Sequence, residues 1–248
     1  MKILPSLLII LLLTIVSCGN QQNKFNIETI KKDKDVTEDI EQLKKLYTPG
    51  LLYTDKNYEV WKSCSGEWGG TVYFKSKESG KIYYSKADCP ISINKIGHKY
   101  YISTSTADEL GGSNILEIDD PSKMEVTYKI PVYHPGVITR EYEAHTLKGT
   151  KKIVDSTGIS IMSSFVYDEQ LYSFVHDYKT GQNMISEVRN HKFHTIQKID
   201  SDLFSHDPII IQESDHQKIF LQHPKPIILE VIGKTIKVNL FKEKRQNL

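Results

Sequence analysis

Residues 159–199 read ISIMSSFVYDEQLYSFVHDYKTGQNMISEVRNHKFHTIQKI, and the fold turns on them. Four short runs rich in Ile, Val, Phe and Tyr stand in a row: Ile159 to Tyr167, Gln170 to Phe174, Met184 to Val188 and Phe193 to Ile199. β-Branched and aromatic side chains suit a pleated, half-buried strand. Between the runs lie polar residues such as Asp168-Glu169, whose side chains can bond the backbone of a turn. The helical spacing of three and four is missing. The stretch predicts a meander of four strands.

The same order recurs on either side. Before it come Ile91 to Ile96, Lys99 to Ile102, Ile115 to Ile118 and Val126 to Ile130; after it come Ile209 to Gln212, Lys218 to Leu221, Ile228 to Val231 and Ile236 to Leu240. Each unit takes roughly 35–40 residues, close to the length of a propeller blade. One such sheet cannot bury both its faces alone, whereas radial stacking covers the faces and leaves short edges. The expected fold is therefore mainly β: a small β-propeller-like domain of four or five blades. A β-sandwich or an irregular barrel produces the same rhythm of strands and turns. Thr71 to Ser76 and Lys81 to Ser85 flank Lys77-Glu-Ser-Gly80 and form a hairpin that fits a further unit. Residues 131–157, with Pro131, Pro135 and Gly136, fit the repeat poorly and read as an insertion or a decayed blade.

Ahead of the strands, Val36, Ile40, Leu43 and Tyr47 recur at helical spacing. Asp35 and Glu38 stand at the spacing of a capping box, and Pro49-Gly50 ends the segment. One short amphipathic helix is expected within residues 35–50, packed on a β domain of residues 51–248. Residues 18–34 are polar and without period, which reads as a flexible tether.

The chain opens with Met1-Lys2, then Ile3 to Val16, with no charge and ten Leu or Ile among fourteen positions. That run is too short to cross a bilayer, which takes about 20 apolar residues. It has the charged start and apolar middle of a secretory signal, here residues 1–17. Ile15-Val16-Ser17-Cys18 resembles a lipobox, the cleavage and lipidation motif of bacterial lipoproteins. The resemblance implies cleavage before Cys18, a diacylglycerol on its sulfur, and a second acyl signal on its amine. Two chains give a stable anchor where one gives marginal binding. The segments around Trp68-Gly69-Gly70, Cys89-Pro90, Lys99-Tyr-Tyr-Ile102 and Gly111 to Pro121 resemble uncharacterised lipoproteins of Bacteroidota-type bacteria. That likeness covers about a quarter of the chain and implies no catalytic residue. Gly19 is not the aspartate of an inner-membrane retention signal. The expected place is the outer membrane facing the periplasm, with surface display as the alternative.

The chain has 32 Lys+Arg and 31 Asp+Glu. Loss of the leader removes Lys2 and leaves the two signs equal, without the basic excess of a nucleic-acid binder. Of three cysteines, lipid on Cys18 leaves Cys64 and Cys89. An even pair outside the cytoplasm suggests a disulfide, and the hairpin at 71–85 carries Cys89 back toward Cys64. Two buried thiols are the competing reading.

Nine histidines invite a metal reading. Yet His206-Asp207, His176-Asp177 and Asp215-His216 are neighbours, and neighbours on a strand point to opposite faces. No ligand spacing of a closed zinc site occurs, so no metal and no cofactor is expected. A nucleophile elbow, a phosphate loop and a dinucleotide fingerprint are all missing. Glycan hydrolysis would need two carboxyls held ~5–9.5 Å apart. Asp108, Asp119, Asp168, Asp177 and Glu187 are candidates, and nothing in the sequence pairs them, so the catalytic residues stay unknown. Trp61 and Trp68 are candidate ligand contacts, since an exposed indole stacks on sugars or anchors a partner. The plainer reading is that both fill the core beside the hairpin. The sequence thus predicts a lipid-anchored envelope protein, a non-enzymatic binding module for a glycan or an envelope protein. A propeller-type glycan hydrolase and a structural or assembly lipoprotein are the alternatives.

Overall fold

The computed structural model describes residues 23–64, 69–106, 111–133, 143–213, 215–222 and 225–242. Its described residues fold mainly as β-structure with one α-helix. The strands form four separate sheets. Sheet I runs β2 (Leu51–Thr54), β3 (Tyr58–Lys62), β4 (Thr71–Ser76), β5 (Ile82–Lys86) and β9 (Glu125–Thr127). Sheet II runs β6 (Pro90–Ile96), β7 (Lys99–Thr106), β8 (Gly112–Ile118) and β10 (Lys151–Thr157). Sheet III runs β11 (Ile159–Tyr167), β12 (Gln170–Asp177), β13 (Gln182–Arg189) and β14 (Lys192–Ile199). Sheet IV runs β15 (Ile209–Gln212), β16 (His216–Leu221), β17 (Ile227–Ile232), β18 (Thr235–Leu240) and β1 (Asn26–Lys31). Every pairing is antiparallel except β1 on β18, which is parallel.

The apolar residues meet face to face between successive sheets. Val60, Val72 and Phe74 of sheet I pack with Ile93, Tyr100 and Ile102 of sheet II. Ile115 and Val154 of sheet II pack with Ile161 and Val175 of sheet III. Phe165, Tyr172 and Phe174 of sheet III pack with Ile219, Leu229 and Val238 of sheet IV. Helix α1 (Thr37–Leu46) covers the other side of sheet IV, where Val36, Ile40 and Leu43 meet Phe220, Ile228 and Phe241. The expected helix is therefore present, but its cap differs. The N-cap residue is Val36 and lacks a side-chain bond, while Asp35 Oδ1 accepts the Thr37 N–H at 2.8 Å.

Two expectations are corrected. The segment 18–34, read as a flexible tether, contains β1. Polar side chains hid it, because β1 sits at a sheet edge and buries little of itself. Its anchor is Phe25, 1% exposed, which packs edge-on against Phe165 and Tyr172 at ring distances of 5.4 and 5.0 Å. The Phe25 N–H and C=O both bond the Gln197 amide at 3.1 Å. The second correction concerns Val126 to Ile130, read as the fourth strand of the Ile91 unit. Part of it, β9, instead crosses to sheet I and pairs Val126 with Tyr83. The fourth strand of sheet II is β10, inside the stretch that fitted the repeat poorly. That stretch is a crossing excursion between two sheets.

Truncation of a buried phenylalanine costs about 3–5 kcal/mol. Phe25→Ala is expected to lower stability by that amount, read as a lower urea midpoint at unchanged slope. A shift below about 1 kcal/mol would show that the N-terminal strand is dispensable.

Candidate functional site

The first strands of the four sheets, β2, β6, β11 and β15, converge on one cavity. It measures about 850 Å³ and lies where these strands end, with Tyr53, Lys95, Tyr167, Glu213 and Gln217 among its lining residues. A narrower cavity of about 20 Å³ continues along the same strands, past Leu52, Ile91, Ile93 and Gln217 toward Lys62. The larger space is within the 300–1,000 Å³ range of small-ligand sites.

Local chain irregularities aim these side chains. The pairing slips between Leu51 and Tyr53 in β2, between Pro90 and Ser92 in β6, and between Ile161 and Ser163 in β11. A bulge adds one residue to one strand and turns side chains away from plain alternation. Leu52 and Ile91, the extra residues, point to the narrow cavity. β11 is an edge strand, so alternate backbone donors face away from its sheet, and serines from sheet II meet them. Ile161 N–H donates to Ser113 Oγ at 3.0 Å, and Ser164 N–H donates to Ser92 Oγ at 3.0 Å.

Ser164 is fully buried behind the cavity wall and holds two of the lining amides. Its C=O accepts the Asn94 amide from sheet II and the Gln217 amide from sheet IV, each at 3.1 Å. Its hydroxyl bonds Ser103 at 2.6 Å and Ser173 at 2.7 Å. Because the Ser164 C=O is purely an acceptor, the Gln217 amide must present its NH₂ there. Gln217 Oε1 is then left buried with no hydrogen-bond partner among the described residues.

The rim is charged. Lys95 Nζ bonds Asp55 Oδ2 at 2.6 Å and the Tyr100 hydroxyl at 3.1 Å. The Tyr100 hydroxyl donates to Asp55 Oδ2 at 2.7 Å. Asp55 Oδ1 accepts the N–H groups of Asn57 and Tyr58, both at 2.8 Å. Burial pushes the Asp55 carboxyl up, but these donors outweigh it and bring its pKa down to about 2. The same burial and the Asp55 bond drive the Tyr100 phenol upward. On the opposite wall, His216 lies 3.7 Å from Glu213 and 3.6 Å from Glu230. Tyr53, Phe165 and Tyr167 supply aromatic surface.

The residues singled out in the sequence are mostly elsewhere. Trp61 is half-buried in β3, opposite Leu51 and Tyr73, and does not line the cavity. Its indole N–H is buried without a partner among the described residues. Cys18, Trp68 and Asp108 lie outside the described residues. Of the carboxylates, only Asp168 reaches the cavity. Asp119 pairs with His98 at 2.7 Å, Asp177 caps the turn at Lys179 and Thr180, and Glu187 pairs with Arg189. Among the described residues, no three His, Cys, Asp or Glu side chains cluster as metal ligands. Cys64 and Cys89 are both buried and flank Gly70. A Cβ on Gly70 would stand 2.6 Å from Cys64 Cβ and 3.0 Å from Cys89 N, so the position needs glycine. The two cysteines are not joined in this structure, and the Cys89 thiol donates to the Gly69 C=O at 3.4 Å.

Sequence reading missed Asn94 and Gln217. Their signal was faint: a polar residue alternating with apolar ones in Ile91-Ser-Ile-Asn94 and in Gln217-Lys-Ile219 reads as solvent-facing, whereas both are buried. No family model matches the chain, and no curated protein is similar to it.

Asp55 tests the rim. A carboxyl whose folded pKa is depressed contributes stability above its unfolded pKa of about 3.9, and that stability is lost as pH falls toward about 2. Urea titrations from pH 5 to pH 2 are expected to show an acid limb that Asp55→Asn flattens. At neutral pH the substitution is expected to cost about 1.5–3 kcal/mol, the worth of hydrogen bonds to a charged group. Parallel acid limbs in both proteins would count against this account.

Proposed function

We propose that this chain is a lipid-anchored binding module of the bacterial envelope that takes a saccharide into the cavity where its four sheets converge. The observation that carries the reading is the cavity's chemistry. The aromatic side chains of Tyr53 and Tyr167 stand beside hydroxyl and carboxylate groups and two amides held by the Ser164 C=O. Sugars offer both an apolar ring face and a girdle of hydroxyls, so they match such a lining.

The sheet order supports the finer reading of the fold as a four-bladed propeller. Four meanders follow one another in the chain, their first strands line the shared cavity, and α1 lies against sheet IV. β1 would close the ring from the N-terminus onto β18. On this reading the excursion carrying β9 ties the first blade to the second.

Binding is favoured over hydrolysis because the carboxylates at the cavity have other tasks or sit apart. Asp55 is saturated by donors, Glu213 faces His216, and Asp168 is on a β-turn with φ of 51°. The anchor reading rests on the lipobox-like Ile15-Val16-Ser17-Cys18. Among the described residues, no helix is long and apolar enough to cross a membrane. The place we propose is the outer membrane facing the periplasm. We also propose a disulfide between Cys64 and Cys89, on the ground of an even pair in an oxidising compartment, on either side of Gly70.

A glycan array with residues 23–248 tests the binding reading. The fragment must keep Phe25 and β1 to fold. Specific saccharide signals that fall on Tyr167→Ala support it; a blank array with folded protein overturns it. For the anchor, Cys18→Ala is expected to release the full chain from membranes, and full retention would refute lipidation. Peptide mapping of the same preparation without reductant is expected to join Cys64 to Cys89, and alkylation of both thiols before reduction would end that claim.

A further inference from the structure

The cavity's described lining carries an excess of acidic side chains. Among its described lining residues Lys95 is the only lysine or arginine and His216 the only histidine, against the carboxylates of Asp168, Glu213 and Asp215. Two of the three Lys95 donors go to Asp55 and Tyr100. Lys24 lies over the Tyr172 ring at 4.9 Å and also feels the charges of Glu187 and Asp168. Each side-chain amide has one of its two N–H donors engaged within the protein. Asn94 and Gln217 give their NH₂ groups to the Ser164 C=O, and Gln212 gives its own to the Glu213 C=O at 2.8 Å. The hydroxyls of Tyr53 and Tyr167 can act in either role.

A second feature points the same way independently of the acids. Gln217 is 3% exposed, it lines both the large and the narrow cavity, and its Oε1 is an acceptor without a partner. A buried acceptor left unmade costs free energy that a donor from a ligand would recover. The Ser164 bond fixes the orientation of this amide, so the Oε1 position stays an acceptor.

We infer that the ligand of this cavity is a cationic amino sugar, a saccharide whose free amine supplies N–H donors and positive charge. The inference rests on the saccharide reading and adds its class. An unacetylated amine meets Asp168 and Glu213 with opposite charge and brings several donors. An N-acetyl group carries no charge and one donor. A uronic acid brings a carboxylate against carboxylates, and like charges repel.

The test is calorimetric titration of residues 23–248 with glucosamine tetramer, N-acetylglucosamine tetramer and galacturonate tetramer, at low and at moderate salt. Glucosamine tetramer is expected to bind about tenfold or more tightly than its acetylated form. Added salt should weaken that binding, as screening requires. Asp168→Asn combined with Glu213→Gln alters exposed side chains, so folding should persist, which circular dichroism checks. The double variant should erase the preference for the free amine and keep residual binding of the neutral sugar. Equal or stronger binding of the acetylated or galacturonate tetramer overturns the inference and leaves saccharide binding standing. Tighter binding of a lysine tetrapeptide than of any sugar overturns the sugar class while keeping the charge argument. No binding of any saccharide defeats both this inference and the reading on which it rests.

Discussion

Everything near the centre of this protein depends on how the backbone of Ser164 is satisfied. β11 is an edge strand of sheet III, so the N–H and C=O of Ser164 face away from β12 and into a sheet interface. Buried backbone groups cannot be left unpaired there without a cost comparable to a lost hydrogen bond. The partners come from outside the sheet. Ser92 and Asn94 of β6, Ser103 of β7 and Gln217 of β16 all converge on one residue. Sheets II, III and IV are thereby fixed to each other by directional bonds, where apolar contact alone would tolerate sliding. Serine suits the role because its small side chain lets β11 approach β6 closely while carrying both a donor and an acceptor.

The cavity is a consequence of that junction. Strands joined at Ser164 diverge toward their ends with their natural twist, and the space between them opens. Sheet I enters through a different device, the Asp55 carboxylate at the β2–β3 turn. It gathers Lys95 and Tyr100 from sheet II together with two N–H groups of its own turn. One rim of the cavity is thus stiff and already neutralised. The other, with Glu213 and Asp215, stays exposed and acidic. On that wall Glu213 faces His216 at 3.7 Å.

Much of the strand rhythm was legible in the sequence. The hairpin of Thr71–Ser76 and Ile82–Lys86 and the meander of residues 159–199 come from local patterns: β-branched runs, glycine or acidic turns, alternation. Two elements were not legible for a common physical reason. β1 and β9 are edge strands, whose place is set by the partner and not by their own apolar content. Phe25 alone marked the first, and a lone aromatic beside a polar segment is a poor signal. The cavity was hidden more deeply. Tyr53, Asn94, Tyr167, Glu213 and Gln217 sit at matching positions of different sheets, so no spacing in the chain unites them.

Net charge misled in the same way. The chain's near balance of acids and bases excludes a basic nucleic-acid surface, but it says nothing about how charge is distributed locally. Lysines such as Lys34, Lys75, Lys99 and Lys148 find carboxylates on the outer surface. Exposed pairs of that kind contribute little stability each. Their consequence here is one of placement: they consume positive charge far from the converging strands. At the cavity, Asp55 binds Lys95, the only lysine or arginine among its described lining residues. The lining that results has an excess of acidic side chains around an unpartnered glutamine oxygen, an arrangement set by where the fold has placed its positive charge.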